Sequence, residues 1–96
     1  MRPSNYEPDI TPEMAATYLA RRVADLAKLV IALETGDLKV FATLGHQLRG
    51  NAASFGFPEL AEIGDDLENA AKDSSPEAAA LATAQMKSWL AEKIAL

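Results

Sequence analysis

The chain has no cysteine among its 96 residues, which excludes disulfide bonds and thiolate metal sites. It has no excess of positive charge either. Its 14 acidic residues outnumber its 9 lysines and arginines, and the net charge of −5 argues against binding to nucleic acid phosphates. No apolar run approaches the roughly 20 residues of a membrane-spanning helix, and the first ten residues lack the apolar segment of a signal peptide. These absences predict a cytoplasmic protein with no membrane or nucleic-acid partner.

Helix-breaking residues are scarce, with 5 glycines and 5 prolines in the whole chain, and half of them fall where a helix should begin or end. A threonine or serine followed by proline is typical of a helix start, and glycine is typical of a helix end. The predicted boundaries are Thr11-Pro12, Gly36, Asp37, Gly56, Pro58 and Ser75-Pro76. No alternating strand pattern is found. The sequence predicts one all-α domain, an antiparallel four-helix bundle over residues 11–96, after an irregular N-terminal segment at residues 1–10.

Apolar residues recur at spacings of three and four within each predicted helix, which indicates one buried face per helix. The predicted buried stripes are Leu19, Val23, Leu26, Val30 and Leu33 in the first helix, Phe41, Leu44, Leu48, Ala52 and Phe55 in the second, and Leu60, Ile63, Leu67 and Ala70 in the third. The last helix is expected to bury some of Leu81, Met86, Trp89, Leu90 and Ile94.

The only histidine, His46, lies in the second predicted helix. On a helical wheel it falls about 160° from the centre of that helix's apolar stripe, so it should face solvent or another protein. We call it and its neighbours at helical spacing the His46 face, which comprises His46, Lys39, Ala42, Thr43, Arg49, Gly50 and Ala53. An ordinary exposed surface histidine would fit the geometry as well. A metal site is disfavoured because no second histidine or cysteine could share the ion. The carboxylates Glu59, Glu62, Asp65, Asp66 and Glu68 are expected to be the solvated face of the third helix.

The order of residues from His46 to Gly56, HQLRGNAASFG, resembles the motif of histidine-containing phosphotransfer (HPt) domains. That motif runs histidine, any residue, leucine, lysine or arginine, glycine, then small residues, an apolar residue and glycine. Asp37, Leu60 and the Leu67-Glu68 pair are further points of similarity. The chain departs from the usual pattern at four positions, with Arg49 for lysine, Gly45 for alanine, Asn51 for serine and Phe57 for alanine.

The resemblance implies that the chain relays a phosphoryl group between aspartates of response-regulator receiver domains. It implies that the ring nitrogen of His46 farther from the backbone accepts the group, and exposed neutral imidazole is a suitable nucleophile at pH 7. Because His46 is expected in mid-helix, no free backbone N–H is available to hold the phosphate. Arg49 is the candidate cation, with Lys39 a weaker one. Gln47 could bond phosphoryl oxygens or the partner, and Gly50 would leave room for both.

Docking of the partner is expected to involve Lys39, Ala42, Thr43, Ala53 and Phe57. The sequence has no G-x-G or P-loop motif for a nucleotide, so the chain is expected to be a covalent phosphocarrier with no cofactor of its own, and not an ATP-using enzyme. A receiver partner would bring the Mg²⁺ and the aspartate. The expected partners are receiver domains and a sensor histidine kinase of the simple or hybrid type, and the protein is expected to be a monomer.

Two other functions are compatible with these residues. One is a binding module that sequesters a receiver or a kinase through the same face without phosphorylation. The other is a plain structural bundle, in which substitutions on the His46 face would have no effect. Gly45, inside the second predicted helix, has no explanation at the level of sequence.

Overall fold

The computed structural model describes residues 10–94, and this part of the chain is all-helical with no strand. Four α-helices follow one another, α1 (Pro12–Thr35), α2 (Leu38–Asn51), α3 (Pro58–Lys72) and α4 (Pro76–Ile94). A short 3-10 turn, Ala53–Phe55, separates α2 from α3. The predicted N-terminal segment falls, except for Ile10, outside the described residues. No helix within residues 10–94 is long and apolar enough to span a bilayer.

The helix boundaries follow the predicted capping residues closely. The side chain of Thr11 accepts a hydrogen bond from the backbone N–H of Met14 at 3.0 Å. Asp37 does the same for Lys39 at 3.2 Å, and Ser75 for Ala78 at 3.1 Å. Each bond satisfies a backbone donor that the first turn of a helix leaves free. Gly36 ends α1 in the left-handed conformation with φ of 74°, so these predictions are confirmed.

The end of the second helix differs from the prediction. The α-helix ends at Asn51, and the helical run continues to Phe55 only as the 3-10 turn. Gly56, with φ of 92°, then ends the run. The tighter turn takes Phe55 off the buried stripe, so its ring is half-buried and stacks on Tyr18 with 4.3 Å between ring centroids. Phe57 extends this aromatic stack towards the indole of Trp89.

The core contains most of the predicted stripes of α2 and α3 and some of the α4 candidates, as predicted, but one predicted core residue of α1 is wrong and one α4 candidate lies outside the core. Val30 is 44% exposed and Leu81 is 63% exposed. In α1 the fully buried residue is instead Leu29. In α4, three of the six buried residues are small, while the large apolar residue Leu81 is exposed. The apolar pattern therefore does not distinguish the buried face of α4 from its exposed face. The buried residues of α4 are Ala79, Ala82, Thr83, Met86, Trp89 and Leu90.

Helix α2 packs along α3, α3 packs against α4, and α1 contacts both α2 and α4. The α2–α3 contact is close because glycines face each other across it. An added Cβ on Gly45 would lie 2.5 Å from the backbone nitrogen of Glu68 and 2.6 Å from the carbonyl oxygen of Gly64. No side chain fits at this distance, which explains the glycine that the sequence alone did not.

Candidate functional site

His46 lies in the middle of α2 with its side chain 69% exposed. The residues before and after it on the buried face, Leu44 and Leu48, are both in the core. Their burial fixes the rotation of α2 and turns the imidazole outward, as the helical wheel predicts. The ring is therefore accessible to a macromolecular partner while its backbone is held rigidly by the packed helix.

Glu68 of α3 reaches the imidazole across the α2–α3 contact. Its Oε2 atom lies 3.3 Å from Nδ1 of His46. The sequence predicts Glu68 to be one of several solvated carboxylates, and this is wrong, because its side chain is only 25% exposed and is paired. Glu68 follows Leu67, which is fully buried. That neighbour places Glu68 at the edge of the helix contact, and helical spacing alone could have indicated this position.

Arg49 lies beside His46, one turn further along α2, as the sequence predicts. Its Nε atom donates a hydrogen bond to Oε1 of Glu68 at 2.8 Å, and its Nη2 atom is 3.3 Å from Nδ1 of His46. The structure thus brings an imidazole, a guanidinium and a carboxylate together. We call these three residues, His46, Arg49 and Glu68, the triad.

The two contacts to Nδ1 of His46 are alternatives, because a neutral imidazole nitrogen is either a donor or an acceptor. If Nδ1 carries the proton, it donates to Glu68 and leaves a lone pair on Nε2. If Nδ1 is unprotonated, it accepts from Arg49 and Nε2 carries the proton. Only the first tautomer leaves Nε2 free as a nucleophile. A carboxylate that orients a histidine in this way is a common feature of nucleophilic and metal sites.

The electrostatics of the triad keep Glu68 in its ionised, accepting form. Partial desolvation raises the pKa of Glu68, but the hydrogen bond and charge of Arg49 lower it, and His46 lowers it further. The lowering contributions prevail, so the pKa lies below its usual value of 4.5. At neutral pH, Glu68 can therefore accept a hydrogen bond from Nδ1 of His46.

The other predicted site residues lie in two places. Gln47, Thr43, Gly50 and Ala53 are exposed, and no packed neighbour would lie within 4 Å of a Cβ on Gly50. Lys39 and Ala42 line a shallow groove between α2 and α3 that Glu68 also borders.

Among the described residues, no contact joins Phe57 to the other predicted site residues. It is half-buried in the aromatic stack at the start of α3, with Tyr18 and Trp89 on either side. Its contribution to packing is therefore clear, whereas its part in docking stays a prediction. Lys72, which the sequence did not single out, borders the α2–α3 groove with Lys39.

Comparison with protein families gives one match. The family model described as Hpt domain matches residues 13–94, which span all four helices and the whole triad. No curated protein and no solved structure matches the chain.

Proposed function

The chain belongs to the Hpt domain family, and from this premise we propose that it carries a phosphoryl group on His46 between receiver-domain aspartates. The family supports a phosphotransfer role in two-component signalling. The observation that supports His46 as the carrier is its geometry. The imidazole is exposed on α2, and the contact of Nδ1 with Glu68 leaves Nε2 directed away from that carboxylate.

In the proposed reaction, the lone pair of Nε2 attacks the phosphorus of a receiver aspartyl phosphate. The N–P bond forms while the bond between phosphorus and the aspartate oxygen breaks, and the aspartate leaves as a carboxylate. The proton on Nδ1 stays in place, so the phosphorylated ring is positively charged. The negative charge of Glu68, 3.3 Å away, offsets that charge. The reverse sequence delivers the group to a second receiver, and Mg²⁺ belongs to the receiver in both steps.

We assign the remaining site residues supporting roles. Arg49 is half exposed, with its Nε atom on Glu68, and its remaining N–H groups are the donors that would bind phosphoryl oxygens. Gly50 would leave space for the receiver above the ring. Gln47 would bond the phosphoryl group or the partner, and the partner would contact Lys39, Ala42, Thr43, Ala53 and Phe57.

We further propose that neighbouring helices run antiparallel, as in an up-and-down bundle. Two residues, Gly36 and Asp37, connect α1 to α2, and such short connections join antiparallel neighbours. The groove between α2 and α3 pairs Leu38, at the start of α2, with Ala71, near the end of α3, which supports the same arrangement. A monomeric state and a cytoplasmic location stay predictions.

The test is phosphotransfer from phosphorylated receiver domains encoded in the same genome. We expect acid-labile, base-stable phosphate on the wild-type chain and none on the His46→Gln variant, because glutamine has no nucleophilic ring nitrogen. Circular dichroism should show the same helix content for both. Phosphate on the His46→Gln variant would show that His46 is not the residue that carries the phosphoryl group. If no receiver labels the wild type but receivers still bind both proteins, the chain is a binding module and not a carrier.

A further inference from the structure

The two positions at which α2 and α3 come closest are both occupied by glycine. An added Cβ on Gly45 would lie 2.5 Å from the backbone nitrogen of Glu68, and one on Gly64 would lie 2.7 Å from the backbone nitrogen of Arg49. The same two Cβ atoms would lie 2.6 Å and 2.9 Å from the carbonyl oxygens of Gly64 and Gly45. These neighbours are backbone atoms, which can move only if a helix moves. Any side chain at either position must therefore push α2 and α3 apart.

The backbone nitrogen atoms that the two glycines approach belong to members of the triad. Gly45 faces the backbone of Glu68, and Gly64 faces that of Arg49. Gly45 also directly precedes His46 in α2. A separation at this point therefore changes the distance between Glu68 and the two α2 side chains that it contacts.

We infer that Gly45 and Gly64 are positioning residues, whose contact holds α3 close enough for Glu68 to reach Nδ1 of His46 and Nε of Arg49. The contact between Nδ1 and Oε2 is 3.3 Å long, which is already near the upper limit for a hydrogen bond. An inserted methyl group needs about 1 Å more space to reach normal van der Waals separation. Such a shift would break the contact with His46, and the preference for the Nδ1–H tautomer would be lost.

The other three glycines of the chain have different roles, so a general abundance of small residues does not explain this pair. Gly36 and Gly56 adopt positive φ at helix ends, and Gly50 has no packed neighbour within 4 Å of an added Cβ. Glycine is a poor helix former, yet Gly45 and Gly64 both lie inside helices. Close approach is the property that these two positions share.

The inference rests on the proposed function only for its transfer readout, because the tautomer of His46 can be measured without a partner. Nitrogen-15 NMR of the ring distinguishes Nδ1–H from Nε2–H, and we expect the wild type to be mainly Nδ1–H at neutral pH. Gly64→Ala and Glu68→Gln should each shift the ring towards Nε2–H. They should also slow single-turnover transfer by about tenfold, the effect of losing one charged hydrogen bond.

The decisive measurement is the double variant. If Gly64 acts through Glu68, then Gly64→Ala adds no further change in tautomer or rate once Glu68→Gln is present. Additive effects, or a wild-type tautomer in Gly64→Ala, would overturn the inference. Gly50→Ala is the matched control for the tautomer, since it adds the same methyl group where nothing lies close.

Glu68→Asp keeps the test valid if Gly64→Ala does not fold. It leaves the helix contact intact and withdraws the carboxylate by one methylene, so it should reproduce the shift towards Nε2–H. A wild-type tautomer in Glu68→Asp would show that the separation does not matter and would overturn the inference. If every tautomer change occurs as expected but no receiver labels even the wild type, the inference stands and the proposed function fails.

Discussion

Gly50 weakens α2 without any benefit to the packing of the chain itself. It lies within the helix and is exposed, and a Cβ at this position would meet no packed neighbour within 4 Å. Alanine would stabilise such a position by about 0.5–1 kcal/mol, since glycine loses more backbone entropy on folding. Packing within the chain does not require glycine here, and the proposed partner that approaches His46 over this surface would explain it.

Gly50→Ala should therefore change stability and transfer in opposite directions. We expect the free energy of unfolding, from urea titration, to rise by about 0.5–1 kcal/mol. The rate of phosphotransfer from a receiver should fall by about tenfold, as expected for overpacking of a close interface by one methyl group. A less stable variant, or one with unimpaired transfer, would contradict the role given to this glycine.

At the scale of the helix, α1 shows why an apolar pattern can identify the wrong residues. Its most buried face includes Leu29 and Ala32, but the same face carries Asp25, which is 7% exposed. Asp25 forms an ion pair with Arg22, with 2.9 Å between Oδ2 and Nε. A prediction from apolar periodicity assigns charged residues such as Arg22 and Asp25 to the solvent-facing side of the helix. The predicted buried stripe of α1 is therefore rotated towards Val30. The spacing of three residues between these opposite charges is visible in the sequence, but the burial of the pair is visible only in the structure.

Adjacent truncations in α1 test this assignment of faces. Leu29→Ala should lower the free energy of unfolding by about 3 kcal/mol, because it removes a fully buried side chain and leaves a cavity. Val30→Ala should change it by less than about 0.5 kcal/mol, since that residue is 44% exposed and no cavity would be enclosed. Urea titrations of both variants provide the measurement, and a larger cost at Val30 would place the stripe where the sequence pattern predicts it.

Features that depend on local chemistry were predictable, and those that depend on distance between helices were not. The caps at Thr11, Asp37 and Ser75 are set by the residues next to them, and the outward direction of His46 follows from the period of α2 alone. The contact of His46 with Glu68 joins residues 22 positions apart. It depends on how closely two helices approach, which Gly45 determines only together with its counterpart on α3.

At the scale of the whole molecule, acidic and basic side chains border different grooves of a protein whose net charge is −5. Four carboxylates line the groove between α3 and α4, namely Glu59, Glu62, Asp66 and Glu92. The groove between α2 and α3 is bordered by Lys39, by Lys72 and by Glu68. Glu68 also contacts His46, so this groove lies next to the imidazole. Neither lysine forms an ion pair with any residue between positions 10 and 94. The groove next to His46 thus carries two lysines, unpaired within the described part of the chain, in an acidic protein.

This distribution suits a receiver, whose phosphorylation site, by the family resemblance, is a cluster of carboxylates. We expect Lys39→Glu with Lys72→Glu to lower kcat/KM for transfer by about tenfold at low ionic strength, since charges beside an interface act mainly on the association rate. The rate at saturating receiver should be unchanged, because the triad is intact. The difference in kcat/KM between this variant and the wild type should shrink above about 0.1 M salt, because salt then screens charges that are more than about 10 Å apart. Lys28→Glu with Lys87→Glu, two exposed changes on α1 and α4 that alter the net charge by the same amount, is the control. An equal effect there would show that net charge, and not the groove beside His46, governs the encounter.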